Sequence, residues 1–389
     1  MPRLPLALLA LLALPRDAAA EVELRQLPSE QLVALAPALR QGDLALIESH
    51  ANGQLRQITL VTLVAAPAAL VHEIVTNPER WPEFARNLVD GKVWRQSAAL
   101  IDYEFTLDLK VARLSVTHRM QDRGDGLIDM ASRLGQDETR YRWHLVAAPG
   151  GTVVALYGYS DLAHHPTLHQ VVAAAPTMEH GLALSTELYY ARTVRRRAEQ
   201  LAKPGSFPAA NPKAKPPSLL PLMDRGTVVI VRTTAAGRAA ELAILERFRA
   251  PPRRVEEVLL KPADYPQIID GVRRTVELER GKDHVIYESE FDLSLLSFLS
   301  RYSARRVPGA VDVLGLSGDF RDARHRWDLT AQGAAGTMVV LRSSQDLTRA
   351  SPLVLGTVIR QEPLFEAGIN VALAMVQVAG VRARAEGRK

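Results

Sequence analysis

The sequence predicts an α+β protein built twice over. Two tandem units each carry a curved antiparallel sheet, two short helices and a long C-terminal helix. Three observations carry this expectation. Residues 184 positions apart agree in their rarer types. A strict period of two runs along one strand of each unit. A long stretch of mixed apolar character closes each half, the natural cover for a sheet with one dry face.

The repeat is read most plainly from its prolines and aromatics. Pro67 meets Pro251 (251 − 67 = 184), Pro78 meets Pro262, Trp81 meets Tyr265, and Pro82 meets Pro266. The register continues through Tyr103-Glu104 with Tyr287-Glu288, and Arg142-Trp143 with Arg326-Trp327. One residue is then inserted, and Gly151-Thr152 meets Gly336-Thr337. Solenoid repeats run to about 50 residues, so a period this long is a duplicated domain.

The organisation follows in order. Residues 1–20 resemble a signal peptide: Arg3, an apolar run from Leu4 to Leu14, then Ala18-Ala19-Ala20 as a cleavage site. The run is too short to cross a bilayer, and no second apolar stretch of spanning length is expected. No cysteine follows it, so no lipid anchor is expected there; the chain has 0 cysteines, which excludes disulfides and thiol chemistry. The expected location is exported, with the periplasm the simplest compartment. Unit one is assigned to 21–201 and unit two to 221–389. Between them, 202–220 is a linker with Pro204, Pro208, Pro212, Pro216 and Pro217. Its composition predicts an exposed, semi-extended tether between units free to move.

Each unit opens with two strands, Leu44 to Ser49 and Ile58 to Val64, or Val228 to Thr233 and Leu242 to Phe248. A short helix begins after proline, Ala68 to Thr76 or Arg253 to Leu260, because proline suits a first helical turn. It ends before Pro78 or Pro262, since the residue preceding proline resists the helical region. A second short turn holds Trp81-Pro82-Glu83-Phe84 or Tyr265-Pro266-Gln267-Ile268. Ile101, Tyr103, Phe105, Leu107 and Leu109 then alternate with Asp102, Glu104, Thr106 and Asp108, one dry face and one wet. Further strands are expected at Leu114 to Met120, Gly126 to Arg133, Tyr141 to Val146 and Thr152 to Asp161. The closing helices are expected over Thr167 to Leu201 and Leu353 to Ala385.

The segment Ala66-Pro67, Val71, Glu73, Val75, Pro78, Trp81, Pro82 and Phe84 resembles the opening of START-like domains. These include polyketide cyclases, pathogenesis-related allergens, lipid-transfer domains and coenzyme Q-binding proteins. Ala250-Pro251, Val255, Glu257, Pro262, Tyr265 and Pro266 repeat the pattern. The resemblance implies a helix-grip architecture around an apolar cavity for lipids, sterols, isoprenoids or polyketides. It does not choose between carriers and enzymes.

Candidate cavity liners come from the dry face: Tyr103, Phe105 and Leu107 in unit one, Tyr287, Ser289 and Phe291 in unit two. The bulk moves by one inward step between the copies. Either a core keeps its volume or two pockets differ in shape. Trp143 and Trp327 point inward, packing on the terminal helix or touching ligand, and Tyr141 and His325 share their side as polar contacts. Trp81 and Tyr265 border the expected mouth or hold a turn. His164, His165 and His169 have a spacing that suits zinc, but Pro166 interrupts it and unit two lacks it, so no metal site is assigned. Glu73 with Glu257, and Glu104 with Glu288, fall on wet faces without the desolvation that tunes a catalytic acid. No catalytic residue is assigned, and no phosphate-loop, dinucleotide or serine-elbow pattern appears. No cofactor is expected.

The partner expected is therefore a hydrophobic small molecule. Aromatics at 5% are too few for a nucleic-acid stacking platform, and no nucleic acid is expected. Net charge is +5. Arg195-Arg196-Arg197 reads as a solvated helix end, with transient contact to an anionic membrane surface or an acidic partner as the other reading. Two rival functions stand beside the exported carrier: a cyclase, dehydratase or hydrolase in the same cavity, and a cavity-less interaction module of the cell envelope.

Overall fold

A computed structural model describes residues 23–50, 53–108, 113–134, 137–160, 172–173, 176–234, 237–292, 297–333, 336–348, 360 and 363–388. The proposed signal peptide and the His164, His165 and His169 cluster lie outside these residues.

Helix α1 (Ser29–Leu39) leads into β1 (Asp43–Ser49) and β2 (Leu55–Val64). Then come α2 (Ala68–Val75), a 3-10 turn (Pro78–Glu83) and six strands: β3 (Leu88–Gln96), β4 (Leu100–Asp108), β5 (Arg113–Gly124), β6 (Leu127–Leu134), β7 (Asp137–Ala148) and β8 (Gly151–Ser160). Helix α3 (Met178–Leu201) closes unit one. Unit two repeats the order after a short helix α4 (Leu220–Met223): β9 (Thr227–Thr233), β10 (Ala239–Phe248), α5 (Pro252–Leu259), a 3-10 turn (Pro262–Asp264) with α6 (Tyr265–Ile268). Its strands are β11 (Val272–Arg280), β12 (His284–Asp292), β13 (Ser297–Val307), β14 (Ala310–Gly318), β15 (Arg324–Gln332) and β16 (Gly336–Ser344), and α7 (Pro363–Ala385) closes it. The expected α+β architecture is present in both halves.

The two sheets are one. The 16 strands run β11-β12-β13-β14-β15-β16-β10-β9-β1-β2-β8-β7-β6-β5-β4-β3, every neighbour antiparallel to the next. The join is β1 against β9, and it is self-matching. Ala45 pairs with Val229, its own counterpart 184 positions on, and the flanking pairs are Leu44 with Ile230 and Leu46 with Val228. Alternate residues of β1 face opposite layers. Leu44 and Leu46 pack with Leu32, Leu35 and Leu39 of α1. Ala45 and Ile47 join a core with Leu184, Leu188 and Ala191 of α3 and Val371, Ala372 and Val376 of α7.

The terminal helices cross on the same relationship. A side chain at Gly181 would collide with the Gly368 carbonyl, and one at Gly368 with the Gly181 carbonyl and Ser185. These glycines are also counterparts, at an offset of 187 (368 − 181 = 187). Only glycine lets the two backbones approach this closely. A pseudo-two-fold axis thus runs through Ala45/Val229 in the sheet and Gly181/Gly368 in the helices.

Four expectations are corrected here. The units are not free tethered bodies, because they share a sheet, a helix crossing and a core. The linker is largely exposed but pinned: Gly150 N–H donates to the Pro208 carbonyl, and Arg40 donates to the carbonyls of Asn211 and Ala214. Helix α7 is long and apolar enough to cross a membrane, against the expectation of no second such stretch, yet 83% of its apolar window is buried in the protein. Finally, the wet face of β4 is not wet throughout. Asp102 is buried, held by Arg119 at 2.8 Å.

Candidate functional site

Proline starts α2 and α5, and the aromatic that follows each one ties down the next turn. Trp81 Nε1 donates to the Ile74 carbonyl at 2.9 Å, and the Tyr265 hydroxyl donates to the Leu259 carbonyl at 2.7 Å. Trp81 thereby meets Tyr190 of α3, ring centres 5.8 Å apart, and α6, which carries Tyr265, packs on α7. The strands supply the other walls through their period of two.

In unit two the walls leave a hollow of about 70 Å³, open on one side. Tyr265, Tyr287, Ser289, Phe291, His325 and Trp327, all named from sequence, are brought together around it, with Phe298 and Tyr302 beside them. Helix α7 contributes Leu373, Gln377 and Val381. Tyr287 stands edge-on to Tyr265 with ring centres 5.7 Å apart and stacks on Tyr302 at 5.3 Å. Burial pushes the three phenols well up from their usual range. Burial pushes His325 down to about 4, and its Nδ1 lies 2.9 Å from Ser343 Oγ. At neutral pH these groups are therefore uncharged hydrogen-bonding surfaces in an apolar wall.

Unit one sets large side chains in the corresponding interior. Trp81 stacks near Phe105 at 5.6 Å and Tyr190 at 5.8 Å, and Tyr141 meets Tyr190 at 5.6 Å. Tyr103 stacks on His118 at 4.7 Å and its hydroxyl reaches Met130 Sδ at 3.2 Å. Trp143 is fully buried, and Leu107 is half-buried against this cluster. Of the residues named in unit one, all six thus fill an interior. His118 is pushed down to about 3 by burial. Its Nδ1 lies 2.7 Å from Ser132 Oγ, while its Nε2 and Trp143 Nε1 have no partner. Each such orphan costs about 1–3 kcal/mol, a sign that apolar packing decides this interior.

The difference has a residue-level cause. Where unit one places Phe105, unit two has Ser289. Met120 pairs with Met130 across β5 and β6, while the matching pair in unit two is Ala304 with Val313. On the terminal helix, the 187 offset sets Tyr190 against Gln377. Four large side chains become four smaller ones, three of which, Ser289, Val313 and Gln377, line the hollow. The opposite changes, His118 to Tyr302 and Leu107 to Phe291, only partly refill it.

Sequence reasoning missed Gln377 and Tyr190 because the helix register shifts after the strands. It also missed Glu187, a fully enclosed carboxyl on α3 whose pKa burial pushes well up. Glu187 Oε2 has no partner. Its signal was visible: a lone acid on a helix face between Leu184, Leu188 and Ala191. Glu73 is exposed and Glu104 half-buried, in keeping with wet-face positions. Among the described residues no group of three or more metal-ligating side chains converges.

No family model and no curated relative matches the chain. Solved structures do. The di-domain ARO/CYC StfQ from the steffimycin biosynthetic pathway is 14% identical, over 85% of this chain and 98% of its own, at a TM-score of 0.30. A START superfamily protein from Mycobacterium smegmatis is 16% identical over 38% of this chain and 99% of its own, TM-score 0.31. A STAR-related lipid transfer protein from Xanthomonas axonopodis is 15% identical over 38% and 93%, TM-score 0.29. The fold rests on the element order itself. Two short helices between paired opening strands and a six-stranded run, closed by one long helix, make each half a helix-grip unit, the architecture that the START-like resemblance implies.

Proposed function

We propose that the chain binds a hydrophobic small molecule, of lipid, isoprenoid or polyketide type, in unit two, and that unit one is a filled copy serving as its support. The exchange of Phe105, Met120, Met130 and Tyr190 for Ser289, Ala304, Val313 and Gln377 carries this reading. A space of about 70 Å³ is far below the roughly 300–1,000 Å³ of pockets that enclose a drug-sized ligand. The ligand therefore enters end-on. An acyl tip or one ring occupies the hollow and the remainder leaves through the open side. Each 100 Å² of apolar ligand surface buried contributes about 2.5 kcal/mol. Gln377, Ser289 and His325 orient a polar substituent. The enzyme reading draws on the same His325 and tyrosines, but their neutral states and backbone or serine partners suit recognition better than proton transfer.

The test is titration of the full chain with a fluorescent fatty acid, beside mass spectrometry of apolar extracts from natively purified protein. The wild type is expected to bind at one site. Ser289→Phe with Gln377→Tyr, which rebuilds the unit-one interior, should weaken binding more than about tenfold, the loss of over 1.4 kcal/mol. Equal binding by the double variant overturns the proposal. We also propose export through removal of residues 1–20, which N-terminal sequencing of the mature protein tests; an intact Met1 on exported protein overturns it.

A further inference from the structure

A second concave site lies at the seam between the units. Its volume is about 770 Å³, within the range of ligand clefts. Both halves build it: the end of α1 and start of β1, the outer face of α3, the end of β9 and the start of α7. Six arginines line it: Arg40, Arg86, Arg192, Arg195, Arg196 and Arg232. Among the described residues only two acids do, Asp43 and Glu199.

Those acids are already engaged. Asp43 is buried and accepts from Arg192 at 2.6 Å, from Arg195 at 3.4 Å and from Thr62 at 2.8 Å. Glu199 accepts from Arg195 at 3.0 Å and from the Ala65 N–H at 3.1 Å. Arg232 has Glu241 at 3.6 Å. The other three face no carboxylate within ion-pair distance among the described residues. Two of them are nevertheless held in place, by neutral acceptors. Arg40 donates to the carbonyls of Asn211 and Ala214 in the linker, and Arg196 to the carbonyl of Phe84. Arg86 is exposed beside them, and its own carbonyl accepts the Tyr189 hydroxyl at 2.6 Å. A guanidinium fixed by a carbonyl keeps its full charge and its remaining donors. Several planar guanidiniums arranged so around a concave wall form a preorganised site for multiply charged oxyanions.

We propose that this seam cleft binds a ligand carrying two or more linked phosphates. A single carboxylate would leave two of the three uncompensated guanidiniums unmatched, whereas a di- or triphosphate supplies the charge and the span. The same chemistry is offered by a soluble phosphate compound and by a phosphate-rich lipid headgroup. The site is separate from the unit-two hollow and does not depend on its occupant.

The probe is inorganic tripolyphosphate, titrated calorimetrically into the full-length mature chain at low and high salt. Arg86→Ala with Arg196→Ala removes two cations whose side chains are exposed and carry no buried acid. Arg253→Ala with Arg254→Ala removes the same charge from α5, away from the cleft. We expect binding by the wild type that weakens with salt. The cleft variant should bind at least about tenfold more weakly, the loss of two charge-assisted contacts. The α5 control should change by less than about twofold. Phosphatidylcholine vesicles with and without diacylglycerol pyrophosphate, whose headgroup carries two linked phosphates, then locate the source. Binding only to the acidic vesicles, lost in the cleft variant, assigns a headgroup, and tripolyphosphate binding without vesicle binding assigns a soluble ligand. Wild-type protein that binds neither, or two double variants that weaken alike, overturns the proposal. Unchanged melting temperatures in both variants separate a lost site from a lost fold.

Discussion

Ala45 sits opposite Val229 in the β1–β9 ladder, each the other's counterpart in the duplication. A contact between equivalent residues is what a symmetric dimer interface makes, where one patch pairs with itself. The crossing of Gly181 with Gly368 has the same property. The chain therefore carries, within one polypeptide, the geometry of a two-fold dimer, and its sheet seam leaves neither β1 nor β9 as an open edge.

The first prediction concerns the linker. If the seam rather than the tether holds the halves, cutting the exposed 203–218 segment should not separate them. Limited proteolysis there should give two fragments that co-elute on size exclusion. Thermal melting of the intact chain should show one transition, since the largest core cluster contains residues from both units. Fragments that part without denaturant, or two resolved melting steps, would contradict the shared core.

A second prediction comes from an exchange across neighbouring strands. In unit one Asp43 accepts from Thr62 and faces Arg195. In unit two Thr227 donates to Glu246, which faces Arg382. The 184 offset equates Asp43 with Thr227 and Thr62 with Glu246, and 187 equates Arg195 with Arg382. Acid and threonine have traded places under the same arginine. Asp43→Thr alone strips the buried partner of Arg192 and Arg195 and should cost about 3 kcal/mol in urea unfolding. Adding Thr62→Glu should restore more than half of that loss. No recovery in the double variant would mean the two arrangements are not equivalent.

These cases show what the sequence made legible. Pro67 and Pro251 marked the helix starts, because proline acts locally and in both copies. The alternation of β4 placed Tyr103 and Phe105 on the dry side for the same reason. Strands β3 and β11 escaped notice: each buries only its first residue, so no alternation exists to read. Helix α1 was legible in Leu32, Leu35, Ala36 and Leu39, spaced along one face, and was missed. The seam lay in uniformly apolar strands, whose pattern announces burial on two faces without naming the neighbour. Five cavity residues of unit two were named from strands; Gln377 was not, because the helix register shifts beyond the 184 offset.

Glu187 supplies a prediction with a definite sign. Burial raises its pKa in the folded chain above the ordinary 4.5. The unfolded chain releases that proton above 4.5 while the folded chain keeps it. The stability it carries is present below 4.5 and lost as pH rises toward the folded value, by about 1.4 kcal/mol per pH unit. Glu187→Gln keeps the shape and removes the titration. The advantage of the variant over wild type in urea midpoint should grow from pH 5.5 to 7.5. A constant difference would show that the carboxyl is ionised in place.

The buried histidines act in the other direction. His118 is depressed to about 3, and His180 and His325 to about 4, all mainly by burial. The unfolded chain gains protons below about 6.5 that the folded chain refuses. Stability from this source is complete above 6.5 and falls as pH drops toward 4, by up to about 1.4 kcal/mol per unit for each residue. His325→Asn should flatten that acid slope by one proton's worth. A slope unchanged in the variant would place His325 in contact with water when folded.

The last prediction transfers the hollow. Phe105→Ser with Tyr190→Gln gives unit one the small residues of Ser289 and Gln377 at the same two points. Each large-to-small change in a packed interior costs about 3–5 kcal/mol, and two neighbours in one cluster fall short of the sum. Unit one should weaken accordingly, and the loss should appear in the shared transition because the seam couples the halves. If the hollow alone creates the binding site, the variant should also bind a second equivalent of the fluorescent fatty acid. Destabilisation without added binding would assign recognition to the particular walls of unit two, chiefly His325, Tyr302 and Phe291, and not to empty volume.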